Sequence, residues 1–190
     1  MAQKKLILAS GSPRRKELLE ALGIEFSVQT ANTPEDYPLD LAVMDIPVHI
    51  ATSKAKAVAA LDNAQNIVLA ADTIVVLEGR VLGKPKDADE AKSFLNLLSG
   101  KTHQVFTGVC LYYDGAPHGF AIKTDVHFTK LTAEQINFYV AQYNPLDKAG
   151  AYGIQEWIGM VGIDEIHGDY YNVVGLPVSA VSKALAALGF

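Results

Sequence analysis

One carboxylate inside an apolar run constrains this 190-residue chain more than any other feature. In "NIVLAADTIVVL", residues 66–77, Asp72 interrupts Ile67-Val68-Leu69-Ala70-Ala71 and Ile74-Val75-Val76-Leu77. Continuous apolar, β-branched runs of this kind belong to strands buried on both faces, as in the interior of α/β sheets. An ionised carboxylate there is costly unless it is paired or bound to a metal. At the end of a buried strand it points into the crevice where α/β proteins hold ligands. Asp72 is therefore a candidate catalytic or metal-binding residue. The alternative is a carboxylate bonding turn amides beside Thr73.

The neighbouring segments supply the rest of a mixed α/β sheet. Residues 5–9 read as a strand, and 13–22 as a helix with Ser12 as cap, Pro13 at its first position and Leu18, Leu19 and Leu22 on one face. Residues 25–30 predict a second strand, and 45–61 a helix with Ile46, Ile50, Ala57 and Leu61 on one stripe. The run from 67 turns as a hairpin at Glu78-Gly79-Arg80. A helix over 87–98 starts after Asp87, and a long hairpin turns near Asp114-Gly115. Residues 132–143 predict a helix capped by Thr132, with Glu134 close behind. "AGAYGIQEWIGMVG" reads as glycine-rich and irregular, and a last helix has Pro177 near its start. The alternation early and the antiparallel pieces later predict a mixed sheet with helices on it, in two lobes around a cleft.

The net charge of −5 argues against general nucleic-acid or membrane-surface binding, since both need a basic face. An anion site must then be a local concentration of positive charge. The only cysteine, Cys110, excludes an internal disulfide and fits a reducing compartment. With no signal-peptide core and no apolar stretch of membrane-spanning length, a soluble, cytoplasmic protein is expected.

The first helix raises a question. Arg14 and Arg15 fall in its first turn, where the macrodipole makes each cation unfavourable by roughly 0.3–1 kcal/mol. A strand, a Ser-Gly-Ser turn and a helix N-terminus present backbone N–H groups, Ser10 and Ser12 add hydroxyls, and two guanidiniums grip phosphate oxygens bidentately. The bland alternative is a solvated basic turn paired with Glu17 or Glu20. It is not a Walker loop, because the required spacing is absent.

Four more residues fit the same cleft. Lys54 falls at the edge of the stripe of its helix, where lysine needs an anionic partner or buries only its stem. Glu35 in "TPEDYP" is a second carboxylate, and Lys84 in "GKP" sits on a rigid turn. Gln155 closes "DKAGAYGIQ"; its primary amide has one acceptor and two donors, which suits a base edge, although a satisfied loop amide is equally available. The five histidines show no metal-ligand spacing, and an acyl-transfer nucleophile is not supported, because no G-x-S-x-G elbow is present and Cys110 lies within an apolar strand.

Together these pieces resemble the Maf family of nucleotide pyrophosphatases, once described as septum-formation inhibitors. The resemblance rests, in order, on "LASGSPRRKELL" (8–19), "EDYP" (35–38), "ATSKAKAV" (51–58), "AADTIVV" (70–76), "GKP" (83–85), "HQVFTGV" (103–109), "DKAGAYGIQ" (147–155) and "YNVVGLP" (171–177). It implies one Maf-like domain over residues 1–190, with an inosine-triphosphatase-like mixed, twisted sheet, flanking helices and a central cleft. "AYGIQ" is similar to the branch acting on dTTP and UTP. Carried over by position, the family's catalytic aspartate falls on Asp72 and its specificity positions on Arg14, Thr73 and Gln155. The phosphate-binding residues fall on Ser10, Arg14, Arg15, Lys54 and Lys84. The chain departs from the family pattern at Glu156, where a small residue such as glycine is expected.

The implied reaction is water attack at the α-phosphorus of a nucleoside triphosphate, releasing the monophosphate and pyrophosphate. Asp72 is the implied base, and Glu35 with Asp72 the implied ligands of a divalent cation, Mg²⁺ or Mn²⁺. UTP, dTTP and modified pyrimidine nucleotides are the expected substrates, and the sequence leaves room for a homodimer. Two rivals stay open: a sugar-phosphate nucleotidyltransferase, which needs an acceptor, and a nucleotide-sensing regulator without turnover.

Overall fold

The computed structural model describes residues 5–62 and 66–190. Its strands are β1 (Leu6–Leu8), β2 (Phe26–Val28), β3 (Ile67–Leu77), β4 (Arg80–Leu82), β5 (Thr102–Tyr113), β6 (Ala116–Phe128) and β7 (Ile163–His167). Its helices are α1 (Pro13–Glu20), α2 (Ile46–Leu61), α3 (Ala88–Leu98), α4 (Ala133–Tyr143), α5 (Trp157–Gly162), α6 (Tyr170–Val174) and α7 (Val178–Ala186). The strands form one mixed sheet in the order β2-β1-β3-β5-β6-β7, with β4 paired to β3. The chain divides into two compact units. One holds the chain up to Asp72 with Thr107–Ile122 and Gly175–Phe190; the other holds Thr73–Phe106 and Lys123–Val174.

In the first unit β1 runs parallel to both β2 and β3, with Leu6 opposite Phe26 and Ile67. β1 and the Ile67–Ala71 stretch of β3 are covered on both faces and are apolar at every position, whereas β2 is the edge strand and leaves Ser27 and Val28 exposed. Leu6, Leu8, Ile67, Leu69 and Ala71 pack with Leu19, Leu176, Val181 and Leu185, from α1, α7 and the segment before α7. Ile7, Ala9, Val68, Ala70 and Cys110 pack with Ala51, Ala55, Val58 and Ala59 of α2. The two-residue period of a strand continues Val68 and Ala70 into Asp72. The carboxylate thus belongs to the α2 face by register.

Three sequence expectations change here. Asp72 lies in the middle of the 11-residue β3, not at a strand end, because the strand runs on through Val75 and Val76 to pair with β4. The buried arc of α2 is Ile46, Pro47, Ile50, Ala51, Ala55, Val58 and Ala59, whereas Leu61 is exposed and Ala57 half-buried. Small alanines set this arc, and at about 100° per residue they bring Lys54 from its edge to near its middle. Ser12 takes the N-cap position of α1 but makes no side-chain cap; its N–H donates to Ser10 Oγ at 3.2 Å.

The alanine face lets α2 approach closely. A Cβ at Gly108 of β5 would lie 2.2 Å from the backbone of Pro47 and Val48, at the start of α2. No side chain fits there.

In the second unit Val75 of β3 pairs with Leu82 of β4, and the connecting Glu78 and Gly79 both have positive φ, as a tight primed turn requires. β7 pairs antiparallel with β6, with a bulge at His127 and Phe128. Asp87 caps α3 by accepting from Glu90 N at 2.8 Å. Thr132 caps α4 in a capping box closed by Gln135. The segment read as irregular contains α5, whose glycines at 159 and 162 hide a helical stretch. Gly162 is buried against Leu131 and Phe128, which fixes the end of that helix.

Candidate active site

In the first unit three charged side chains from three segments meet. Lys54 Nζ donates to Asp72 Oδ1 and to Glu35 Oε1, each at 2.7 Å. The Asp72 and Lys54 side chains are only 12% and 18% exposed, so this arm is shielded from solvent and salt. Glu35 is 48% exposed, so its arm is screened and worth little to stability. The lysine on the buried arc of α2 has found its anionic partner, and the carboxylate in β3 its cation.

Arg15 adds a second layer. Its Nε donates to Gly175 O at 2.8 Å and its Nη1 to Ser10 Oγ at 3.3 Å. Burial lowers the Arg15 pKa, Asp72 and Glu35 oppose this, and Arg14 reinforces it. A guanidinium stays charged at neutral pH regardless. Arg15 is thus pinned between the start of α1 and the segment before α7, within the field of both carboxylates. Ser10 is 9% exposed, and its oxygen accepts from Arg15 and from Ser12 N. On the surface of α1, Lys16 faces Glu20 at 3.6 Å.

The second unit holds Thr73, Lys84 and Gln155. Thr73 is half-buried in β3, and Lys84 and Gln155 are exposed. The turn bearing Lys84 and the glycine-rich loop are joined, because Gly150 N donates to Gly83 O at 3.1 Å. Gly150 has φ +68°, and a Cβ there would come 2.9 Å from Val75. Ala151 follows with φ 60°, which costs an L-residue roughly 1–2 kcal/mol. Tyr152 is buried, and its hydroxyl lies 2.7 Å from His103 Nε2. Burial pushes His103 down to about 4, so it is neutral at pH 7.

Sequence reasoning missed two polar networks in this unit. Asn172 of "YNVVGLP" is fully buried, and its amide donates to Val105 O at 3.1 Å and Thr124 Oγ1 at 3.0 Å. Its role is to hold the scaffold. The other network joins Tyr139, Lys148 and Glu156 around the Gln155 loop. Only the departure at Glu156 signalled it in the sequence.

A divalent cation suits the carboxylates of the first unit. Asp72 and Glu35 already converge on one positive charge, and carboxylate oxygens are the hard donors that such cations take. Among the described residues no group of three or more His, Cys, Asp or Glu could hold a metal. One or two carboxylates completed by substrate phosphates is the usual arrangement for Mg²⁺. No described helix is long and apolar enough to cross a membrane.

Comparison with known proteins shows the family. The chain is 50% identical over 185 residues to a dTTP/UTP pyrophosphatase of Phocaeicola vulgatus, covering 97% of this chain and 96% of the relative. It is 51% identical over 180 residues to a dTTP/UTP pyrophosphatase of Cytophaga hutchinsonii, covering 95% and 82%. Among solved structures, the Staphylococcus aureus Ham1 protein has the same fold, with a TM-score of 0.59, 13% identity, and coverage of 97% of this chain and 100% of that one. The family described as Maf-like protein matches residues 5–188, and with relatives at half identity over nearly the full length, the chain belongs to the Maf-like family.

Proposed function

We infer that this chain is a nucleoside triphosphate pyrophosphatase that hydrolyses dTTP and UTP to the monophosphate and pyrophosphate. The observation that carries the reading is the meeting of Asp72, Lys54 and Glu35 beside the pinned Arg15. A carboxylate that can take a proton, two that can bind a cation, and a cluster of fixed cations are what phosphoanhydride hydrolysis needs. The activities named for relatives at half identity support the same substrates.

In the proposed mechanism Asp72 accepts a proton from water as the water oxygen bonds to the α-phosphorus. The α–β anhydride bond breaks, and pyrophosphate leaves with the electron pair. Arg14, Arg15, Lys54 and Lys84 bind the phosphate oxygens and offset about four negative charges. Ser10 adds a hydroxyl, whose oxygen is already oriented by Arg15 and Ser12 N. Glu35 and Asp72 would hold a divalent cation, Mg²⁺ or Mn²⁺, which when bound neutralises phosphate charge. Lys54 must then shift its ammonium from the carboxylates toward the phosphates. Arg14, Thr73 and Gln155 set substrate choice, with Gln155 reading the base: its amide oxygen accepts from the ring N–H of uracil or thymine while its N–H donates to a neighbouring carbonyl.

A panel of nucleoside triphosphates with Mg²⁺ or Mn²⁺, scored for pyrophosphate release, tests this. Release from UTP and dTTP without any acceptor supports hydrolysis. Release only on adding a sugar phosphate would make the chain a transferase, and tight binding without release a sensor.

A further inference from the structure

The segment before and after Gln155 is held by a buried charged network. Lys148 is 9% exposed at its side chain and Glu156 19%. Lys148 Nζ lies 3.1 Å from Glu156 Oε1 and 2.8 Å from Asp147 Oδ1. The other carboxylate oxygen of Glu156 accepts from the hydroxyl of Tyr139, a fully buried residue of α4. That same phenol oxygen accepts from Gly153 N at 3.0 Å. Burial and the facing carboxylate raise the Tyr139 pKa, so the phenol remains the donor.

The backbone closes the figure. Glu156 N donates to Gly153 O at 3.0 Å, making residues 153–156 a tight turn with Gln155 third in it. A Cβ at Gly153 would lie 2.9 Å from Glu156 Cδ, so the carboxylate packs directly on the turn. Ile154 is buried while Gln155 is exposed. One carboxylate therefore fixes the turn from both ends and leaves only the Gln155 side chain projecting.

We propose that Glu156 is a positioning residue that holds Gln155 for base discrimination, through its contacts with Tyr139 and Lys148. The proposal rests on the reading of Gln155 as the base reader. A buried ion pair adds little to stability compared with apolar packing, but it can specify one geometry. A glycine at 156 makes neither contact and leaves the turn to its backbone alone. Discrimination needs the amide held in register with the base edge, since an unpaired polar group is what rejects the wrong base.

The test is the ratio of kcat/KM for UTP to that for CTP, measured in Glu156→Gln, Tyr139→Phe, Gln155→Ala and the double variant Glu156→Gln/Gln155→Ala. A ratio on one preparation cancels any loss of folded enzyme, so a merely destabilised variant leaves it unmoved. The expected result is about a tenfold fall in the ratio for Glu156→Gln and Tyr139→Phe, in the range of one misplaced hydrogen-bonding group. The double variant should fall no further than Gln155→Ala alone, because residues acting through one another are not additive. An unchanged ratio in both Glu156→Gln and Tyr139→Phe, with a fall in Gln155→Ala, would overturn the positioning role and leave the base reader standing. An unchanged ratio in Gln155→Ala would remove the base reader and the proposal with it.

Discussion

Lys54 Nζ lies 2.7 Å from Asp72 Oδ1, although the two stand eighteen positions apart in the chain. Strand register points the carboxylate to the α2 face, and the alanine arc of α2 brings the lysine to the same place. Neither charge is positioned by the other alone.

Asp72→Asn keeps the shape of the side chain and removes the proposed base. Turnover should fall by at least ~10²-fold, the usual effect of losing a general base. Nucleotide binding should persist in calorimetric titration. Pyrophosphate release within a factor of ten of wild type would remove Asp72 from that role.

Lys54→Met takes away the cation that already sits between Asp72 and Glu35. In nucleotide-free protein the variant should bind Mn²⁺ about fivefold more tightly or better, equivalent to about 1 kcal/mol of relieved competition. Its turnover should fall. Electron paramagnetic titration of free Mn²⁺ reads the first effect, and an unchanged affinity would show that the carboxylates are not the cation site.

Arg14→Ala and Arg15→Ala test the grip on phosphate. Both should weaken binding of a non-hydrolysable nucleotide, and added salt should weaken binding to wild type. Arg15→Ala should also lower the melting temperature, since it strips the donor from Gly175 O; an unsatisfied buried carbonyl costs roughly 1–3 kcal/mol. Unchanged affinity in both variants would remove the pair from phosphate binding.

Gln155→Glu loses the donor and sets a negative charge against a base carbonyl. The cost of roughly 1–3 kcal/mol corresponds to about a 5- to 150-fold loss of kcat/KM for UTP and dTTP. CTP, with an exocyclic amine at that edge, should lose less. Equal losses for all three would make Gln155 a structural residue of the loop.

His103 gives a pH signature. Its folded pKa of about 4 lies below the ordinary histidine value, so the unfolded chain binds the extra proton first. Stability is thus retained above pH ~6.5 and falls as pH drops toward 4, by about 3 kcal/mol in full. His103→Gln removes the titrating group and should flatten this part of the profile in denaturant unfolding at pH 7, 5.5 and 4. A variant with the same slope as wild type would place the acid sensitivity elsewhere.

The sequence made much of this legible where physics is local. The apolar run around Asp72, Pro13 at the start of α1, the Glu78-Gly79 and Asp114-Gly115 turns and the caps at Asp87 and Thr132 all have short-range causes. The α2 arc is poorly legible because alanine carries a weak hydrophobic signal, and close packing rather than side-chain size decides which alanines are buried. The α5 helix and β7 were not legible, because glycines mask the first and a five-residue edge strand with two acids carries little pattern. The Tyr139–Glu156–Lys148 network joins a helix to an irregular loop, so no spacing rule reveals it.

Gly108 touches no reacting group, yet α2 rests its first turn on the space left by the missing side chain. Any larger residue there must lift that end of the helix that carries Lys54. In a saturation mutagenesis screen scored by activity, position 108 would therefore be as intolerant as position 72. The two would separate only when protein abundance was scored as well, with alanine at 108 depleting the protein and asparagine at 72 leaving a full complement of inert molecules.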